Sequence, residues 1–117
     1  MEFKFKKQVD LETRKKQNKE LIKRNPKKIP IILEKDPKCK LIPIKKTKFM
    51  IEKNSTVSKL IQSIRILMKI PQEEGLFLSA KGKYTLTGQK IIGDIYNTYK
   101  DEDGFLYIMY TTELIFG

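Results

Sequence analysis

Val57, Leu60, Ile61, Ile64, Leu67 and Met68 follow one another at spacings of three, one, three, three and one. An extended chain cannot gather residues so spaced on one side, whereas a helix of 3.6 residues per turn aligns them as a single apolar stripe that must be buried. Ser55 or Thr56 stands where a side-chain oxygen can cap the first turn, and Pro71 is expected to mark the end. The flanking segments supply a sheet for the stripe to cover. Ile29-Pro30-Ile31-Ile32-Leu33 is short, apolar and β-branched, and Lys45 to Lys53 places Phe49 and Ile51 alternately among polar neighbours. Leu76-Phe77-Leu78 reads as a buried strand followed by a turn at Lys81-Gly82-Lys83, and Phe105 to Tyr110 reads as a strong strand behind the acidic turn Asp101-Glu102-Asp103-Gly104. Ile91, Ile92, Ile95, Tyr96 and Tyr99 mark a second short helix face.

Lys4 to Lys28 is different in character. It is mostly Lys, Arg, Gln, Asn and Glu, with Phe5, Val9, Leu11, Leu21 and Ile22 as its apolar positions. Asp10 is placed to cap a helix running toward Arg24, which Pro26 prevents from continuing past Asn25. A solvated, lightly docked basic helix is expected. Pro37 and Pro43 make the connection around Cys39 an irregular loop rather than a tight hairpin. The predicted order is helix, strand, strand, helix, strand, helix, strand, an α+β fold. At 117 residues the chain has room for one core. We expect a helical basic extension over 1–26 and a core over 27–117.

Charge is distributed as unevenly as apolarity. Residues 1–48 hold 17 Lys and Arg against 6 Asp and Glu, and residues 49–117 hold 8 against 8, so the whole excess of +11 lies in the first part. This favours acidic partners: anionic lipid, acidic peptides, an acidic polymer such as tubulin, or nucleic acid. A basic adaptor for nucleic acid, tubulin or anionic membrane is therefore the alternative function. Only Phe3 and Phe5 interrupt the basic region as aromatics, which leaves single-strand binding without a stacking surface and argues against a specific nucleic-acid role.

Catalysis finds little support. The chain has no histidine, no glycine-rich phosphate loop and one cysteine, Cys39, without a base beside it. A lone cysteine permits no internal disulfide and, without histidine, no structural zinc site, so a reducing cytoplasm is expected and no metal or other cofactor. The carboxylates from Asp101 to Asp103 read as a solvated turn. No stretch reaches the roughly 20 apolar residues that cross a bilayer, and Glu2 and Lys4 around Phe3 do not resemble a secretory leader.

Specific blocks carry a resemblance. Asn25-Pro-Lys-Lys-Ile-Pro-Ile-Ile-Leu-Glu-Lys-Asp-Pro-Lys38, then Lys46, Lys48 and Phe49, Thr56-Val57, Glu102-Asp-Gly-Phe-Leu-Tyr-Ile-Met-Tyr110 and a terminal Gly117 resemble, in order and spacing, the autophagy ubiquitin-like modifiers of the GABA-receptor-associated and light-chain-3 groups. The resemblance covers nearly the whole chain. It implies a ubiquitin-like β-grasp with an N-terminal helical extension, and a modifier joined through Gly117 to phosphatidylethanolamine by ubiquitin-like activating and conjugating enzymes. A processing or delipidating cysteine protease would be a further partner. A final glycine, lacking Cβ, can thread a narrow active-site channel. The protein would be cytoplasmic, and on autophagosomal or vesicular membrane when lipidated.

The resemblance also implies that peptides of cargo receptors and autophagy proteins, with an aromatic residue and an aliphatic one three positions later, add as a strand beside Lys48 to Glu52. Gln17, Leu21, Pro30, Ile32, Lys48, Met50 and Phe105 would form the aromatic pocket, and Phe49, Ile51, Leu60 and Ile64 the aliphatic one. Lys28 and Lys46 would flank them against acidic residues of the peptide. Glu52, Ser55 and Ser63 stand where relatives place proline or apolar groups, which implies a shallower or more polar aliphatic pocket.

Overall fold

The computed structural model describes residues 3–113. Its elements are α1 (Lys4–Gln8), α2 (Leu11–Arg24), β1 (Lys28–Lys35), β2 (Lys48–Glu52), α3 (Val57–Met68), β3 (Phe77–Ala80), β4 (Tyr84–Thr85), α4 (Ile92–Tyr99) and β5 (Leu106–Thr111). The strands form one sheet in the order β2-β1-β5-β3-β4. β1 runs parallel to β5 and the other pairs are antiparallel.

Alternation along β1 and β5 divides the core in two. Ile29, Ile31 and Leu33, with Leu106, Ile108 and Tyr110, face one way and bury Val57, Leu60 and Ile64 of the α3 stripe together with Ile92 and Ile95 of α4, whereas Leu67, expected in that stripe, stays 55% exposed. Ile32, with Phe105, Tyr107 and Met109, faces the other way and is covered by Phe3, Phe5 and Leu21. The sheet is thus sandwiched between α3 and the N-terminal pair of helices, a mixed α+β arrangement of the ubiquitin-like kind.

All seven expected elements are present, and two more appear. The N-terminal helix is broken at Val9, where Asp10 takes extended geometry and accepts a hydrogen bond from the Thr13 amide at 2.8 Å, starting α2 afresh. β4 is a two-residue strand that follows the left-handed turn at Lys81 and Gly82. The expected light docking is corrected: Phe3, Arg14 and Asn18 are buried. Gly104 makes this docking possible, since at φ +92° it sits where a Cβ would lie 2.0 Å from the Asn18 amide nitrogen.

α3 stops at Met68, before Pro71, because Lys69 turns into the left-handed region at φ 56° and its amide closes onto the Arg65 and Ile66 carbonyls. Lys69 is exposed and lacks glycine's freedom there. Lys69→Gly is expected to stabilise the protein by about 1 kcal/mol, read as a higher urea midpoint. A midpoint unchanged or lowered would refute this account of the cap.

Candidate peptide-docking edge

β2 ends the sheet: it pairs with β1 and, among the described residues, with no second strand. One row of its amides and carbonyls therefore faces outward, as strand addition requires. Lys48, Phe49, Met50 and Ile51 are all half-buried and Glu52 is exposed. Register places Lys48 opposite Ile32 and Met50 opposite Pro30, on the side of the N-terminal helices. Phe49 and Ile51 lie opposite Ile31 and Ile29, on the side of α3. An added strand would thus meet a different set of side chains on each face of the edge.

On the α3 side Phe49, Ile51, Leu60 and Ile64 converge around a shallow cavity of about 50 Å³. Leu33, Ser63 and Leu67 complete its wall. Ser63 lies in the wall with its hydroxyl donating to the Lys59 carbonyl at 3.1 Å, so its polarity is spent on the helix's own backbone. Glu52 and Ser55 are not part of the lining, and their effect on this pocket is less direct than expected. Leu67 belonged to the periodic stripe of α3 and could have been read from it. Leu33, in the middle of β1, carried no such signal.

On the other side Gln17, Leu21, Ile32, Lys48 and Phe105 come together, with Pro30 and Met50 as the adjoining cross-strand pair. Ile32 and Phe105 are wholly buried and form a floor rather than an open wall. Phe5, absent from the expected set, stands edge-on to Phe105 with centroids 5.4 Å apart. Lys48 lies over both: its ammonium is 5.0 Å from the Phe5 ring, 5.9 Å from the Phe105 ring and 2.9 Å from the Gln17 side-chain oxygen. The two flanking lysines do not converge. Lys46 sits 5.2 Å over the Phe49 ring, while Lys28 stands opposite Glu52 at the far end of β2.

The floor is anchored from beneath. Asp103 accepts from the Phe105 amide at 2.8 Å, from Arg14 Nε at 2.8 Å and from the Tyr107 hydroxyl at 2.5 Å. Arg14 in turn donates to the Val9 carbonyl at 2.6 Å, where α1 and α2 meet. Burial and the hydrogen bond to Asp103 both push the Tyr107 hydroxyl well above its ordinary value, so it remains a donor. The neighbouring Asp101 pairs with Lys6 at 2.5 Å, and Glu34 of β1 accepts from the amides of Lys4 and Phe5 at 2.8 and 3.1 Å. The acidic turn is thus a structural clasp for α1 and α2, not the solvated turn that adjacency of its carboxylates suggested. Among the described residues no group of His, Cys, Asp and Glu could hold a metal ion.

Gly117 lies outside the described residues. Of the rest of the candidate set, the structure assembles two clusters on opposite sides of one open strand. Residues 13–117 match the family model described as autophagy protein Atg8 ubiquitin like. Autophagy-related protein 8h of Arabidopsis thaliana is 33% identical over 113 residues, covering 97% of this chain and 94% of the relative. Autophagy-related protein 8 of Kluyveromyces lactis is 31% identical over 117 residues, covering 100% and 94%. The crystal structure of Trypanosoma brucei ATG8 superposes with a TM-score of 0.92 at 31% identity over the full length of both chains. Fold, edge strand and sequence agree in one assignment: this chain belongs to the Atg8 family of autophagy ubiquitin-like proteins, modifiers that are not themselves enzymes.

Proposed function

We propose that this protein is joined through Gly117 to phosphatidylethanolamine on autophagosomal or related membranes and there docks aromatic-x-x-aliphatic peptides of cargo receptors along β2. The observation that carries the docking half is the open edge of β2 with an aliphatic cavity on one face and the Lys48-Phe5-Phe105 cluster on the other. In a strand, adjacent side chains point to opposite faces and those two apart share a face, so side chains three apart point to opposite sides. A peptide with its aromatic and aliphatic residues at that spacing can therefore place one on each side of β2. Membership of the family supports the conjugation half, together with activating and conjugating enzymes and a cysteine protease as partners.

Conjugation is tested by incubating the protein with the activating and conjugating enzymes of an Atg8 system, ATP and phosphatidylethanolamine vesicles, then measuring intact mass and mapping the C-terminal peptide. The expected product is an adduct of one lipid, formed with loss of water, on Gly117. Enzyme preparations that lipidate a known Atg8 protein but leave this chain unmodified would remove the conjugation reading.

A further inference from the structure

The loop between β1 and β2 presents an apolar tip ringed by lysines. Ile42 is 82% exposed, the highest value for a large hydrophobic side chain among the described residues, and Pro43 beside it is exposed as well. Lys38 and Lys40 precede this tip and Lys45 and Lys46 follow it, all four exposed. The loop is braced rather than slack. Leu41 and Ile44, on either side of the tip, pack against the core. The Ile44 amide donates to the Tyr110 hydroxyl at 2.9 Å, and Lys35 Nζ donates to the Cys39 carbonyl at 2.6 Å. Burying both neighbours leaves Ile42 with one direction to point, outward.

The topology fixes where that direction lies. β1 and β5 are parallel, with Lys35 opposite Tyr110, and the Asp36 amide donates to the Tyr110 carbonyl at 2.9 Å. The loop after β1 and the chain after β5 therefore leave the sheet at the same end. Glu73 and Glu74, which precede the antiparallel β3, and Glu113 also belong to this end, but β3 lies across β5 from β1. The four loop lysines lie on the β1 side of this end, where Asp36 is the carboxylate at the loop's start, its Oδ1 accepting from the Lys38 amide at 2.9 Å, and Glu73 and Glu74 lie on the β3 side.

We infer that the loop 38–46 is an anionic-membrane contact, in which Ile42 and Pro43 enter the boundary between headgroups and acyl chains while Lys38, Lys40, Lys45 and Lys46 engage lipid phosphates and carboxylates. A convex apolar tip within a cationic ring matches a soft negative surface, whose apolar layer lies beneath its charged one. A folded acidic protein would need a preformed cavity for Ile42, and an acidic polymer would leave it in water. The placement at the end where β5 finishes deepens the conjugation reading and rests on it: a lipid attached through Gly117 would bring this end of the sheet, and so the tip, toward the bilayer. The loop's own affinity needs no conjugation.

The test uses the full unconjugated chain with phosphatidylcholine vesicles, with and without phosphatidylserine, and without phosphatidylethanolamine or enzymes, so its result stands apart from any result on lipid attachment. Flotation is expected to recover the protein with phosphatidylserine vesicles at low salt, and Ile42→Ser, which changes no charge, to lower the bound fraction roughly tenfold. Lys40→Glu with Lys45→Glu is expected to abolish binding. The chain has no tryptophan, so Ile42→Trp supplies a single reporter whose emission is expected to shift to the blue on anionic vesicles alone. All these positions are exposed, and an unchanged urea midpoint checks the fold. Binding that survives Ile42→Ser undiminished, an unshifted emission, or equal retention by soluble polyglutamate would overturn the inference.

Discussion

Replacing Asp103 by alanine is expected to destabilise the protein by about 3–5 kcal/mol, the cost of breaking a buried ion pair by removing one partner. Asp103 is 2% exposed and Arg14 7%. With the carboxylate gone, the guanidinium, the Tyr107 hydroxyl and the Phe105 amide lose an acceptor together, and water cannot easily replace it. Asp103→Asn keeps an acceptor of the same shape but gives up the charge, and should cost less. Urea denaturation at neutral pH measures both, and a loss below about 1 kcal/mol for the alanine variant would show that the clasp contributes little. The Phe105 ring rests on this anchor, so the variant should weaken peptide capture as well as folding.

The same clasp predicts an acid limit. Burial alone would raise the Asp101 carboxyl, but the hydrogen bonds from Lys6 and the Asp103 amide, with the charges of Lys6 and Arg14, outweigh it and hold the group below its usual 3.8. A depressed carboxyl contributes stability that is complete above the unfolded value and is lost as pH falls through the folded one. Asp101's contribution should therefore persist down to about pH 4 and fade below it.

The stripe of α3 and the β-branched runs of β1 and β5 are legible because periodicity and propensity act between near neighbours, and the sheet then offers few ways to cover the stripe. Arg14 and Asp103 are 89 positions apart, each resembles any surface charge, and their pairing depends on how α2 lies on the sheet. The break at Val9 and the two residues of β4 depend on the same distant contacts. Phe3 and Phe5 sit among lysines, which makes them look like stray apolar residues of a solvated helix. In the folded chain they join Leu21 of α2 in covering Ile32, Phe105 and Tyr107, a role that only the far side of the sheet defines.

A peptide with an aromatic residue three positions before an aliphatic one is expected to bind the native chain and to lose roughly 10- to 100-fold in affinity to Phe49→Ala, read by calorimetric titration. Phe49 walls the cavity and belongs to the strand that the peptide would join, so its truncation removes apolar contact without touching the backbone edge. Lys48→Glu acts on the other face. It replaces the ammonium held over Phe5 and Phe105 and beside Gln17 with a carboxylate that repels acidic residues upstream of the peptide's aromatic position, and should cost about tenfold. Salt separates the two. The Lys48→Glu deficit should shrink as ionic strength rises, because it arises from charge, whereas the Phe49→Ala deficit should persist, because it arises from buried area. Were both variants to bind as the native chain does, the edge of β2 would not be the docking surface. A deficit for Lys48→Glu alone would keep the charge attraction and discard the aliphatic cavity, since an added strand that reads one face only has no use for the spacing of three.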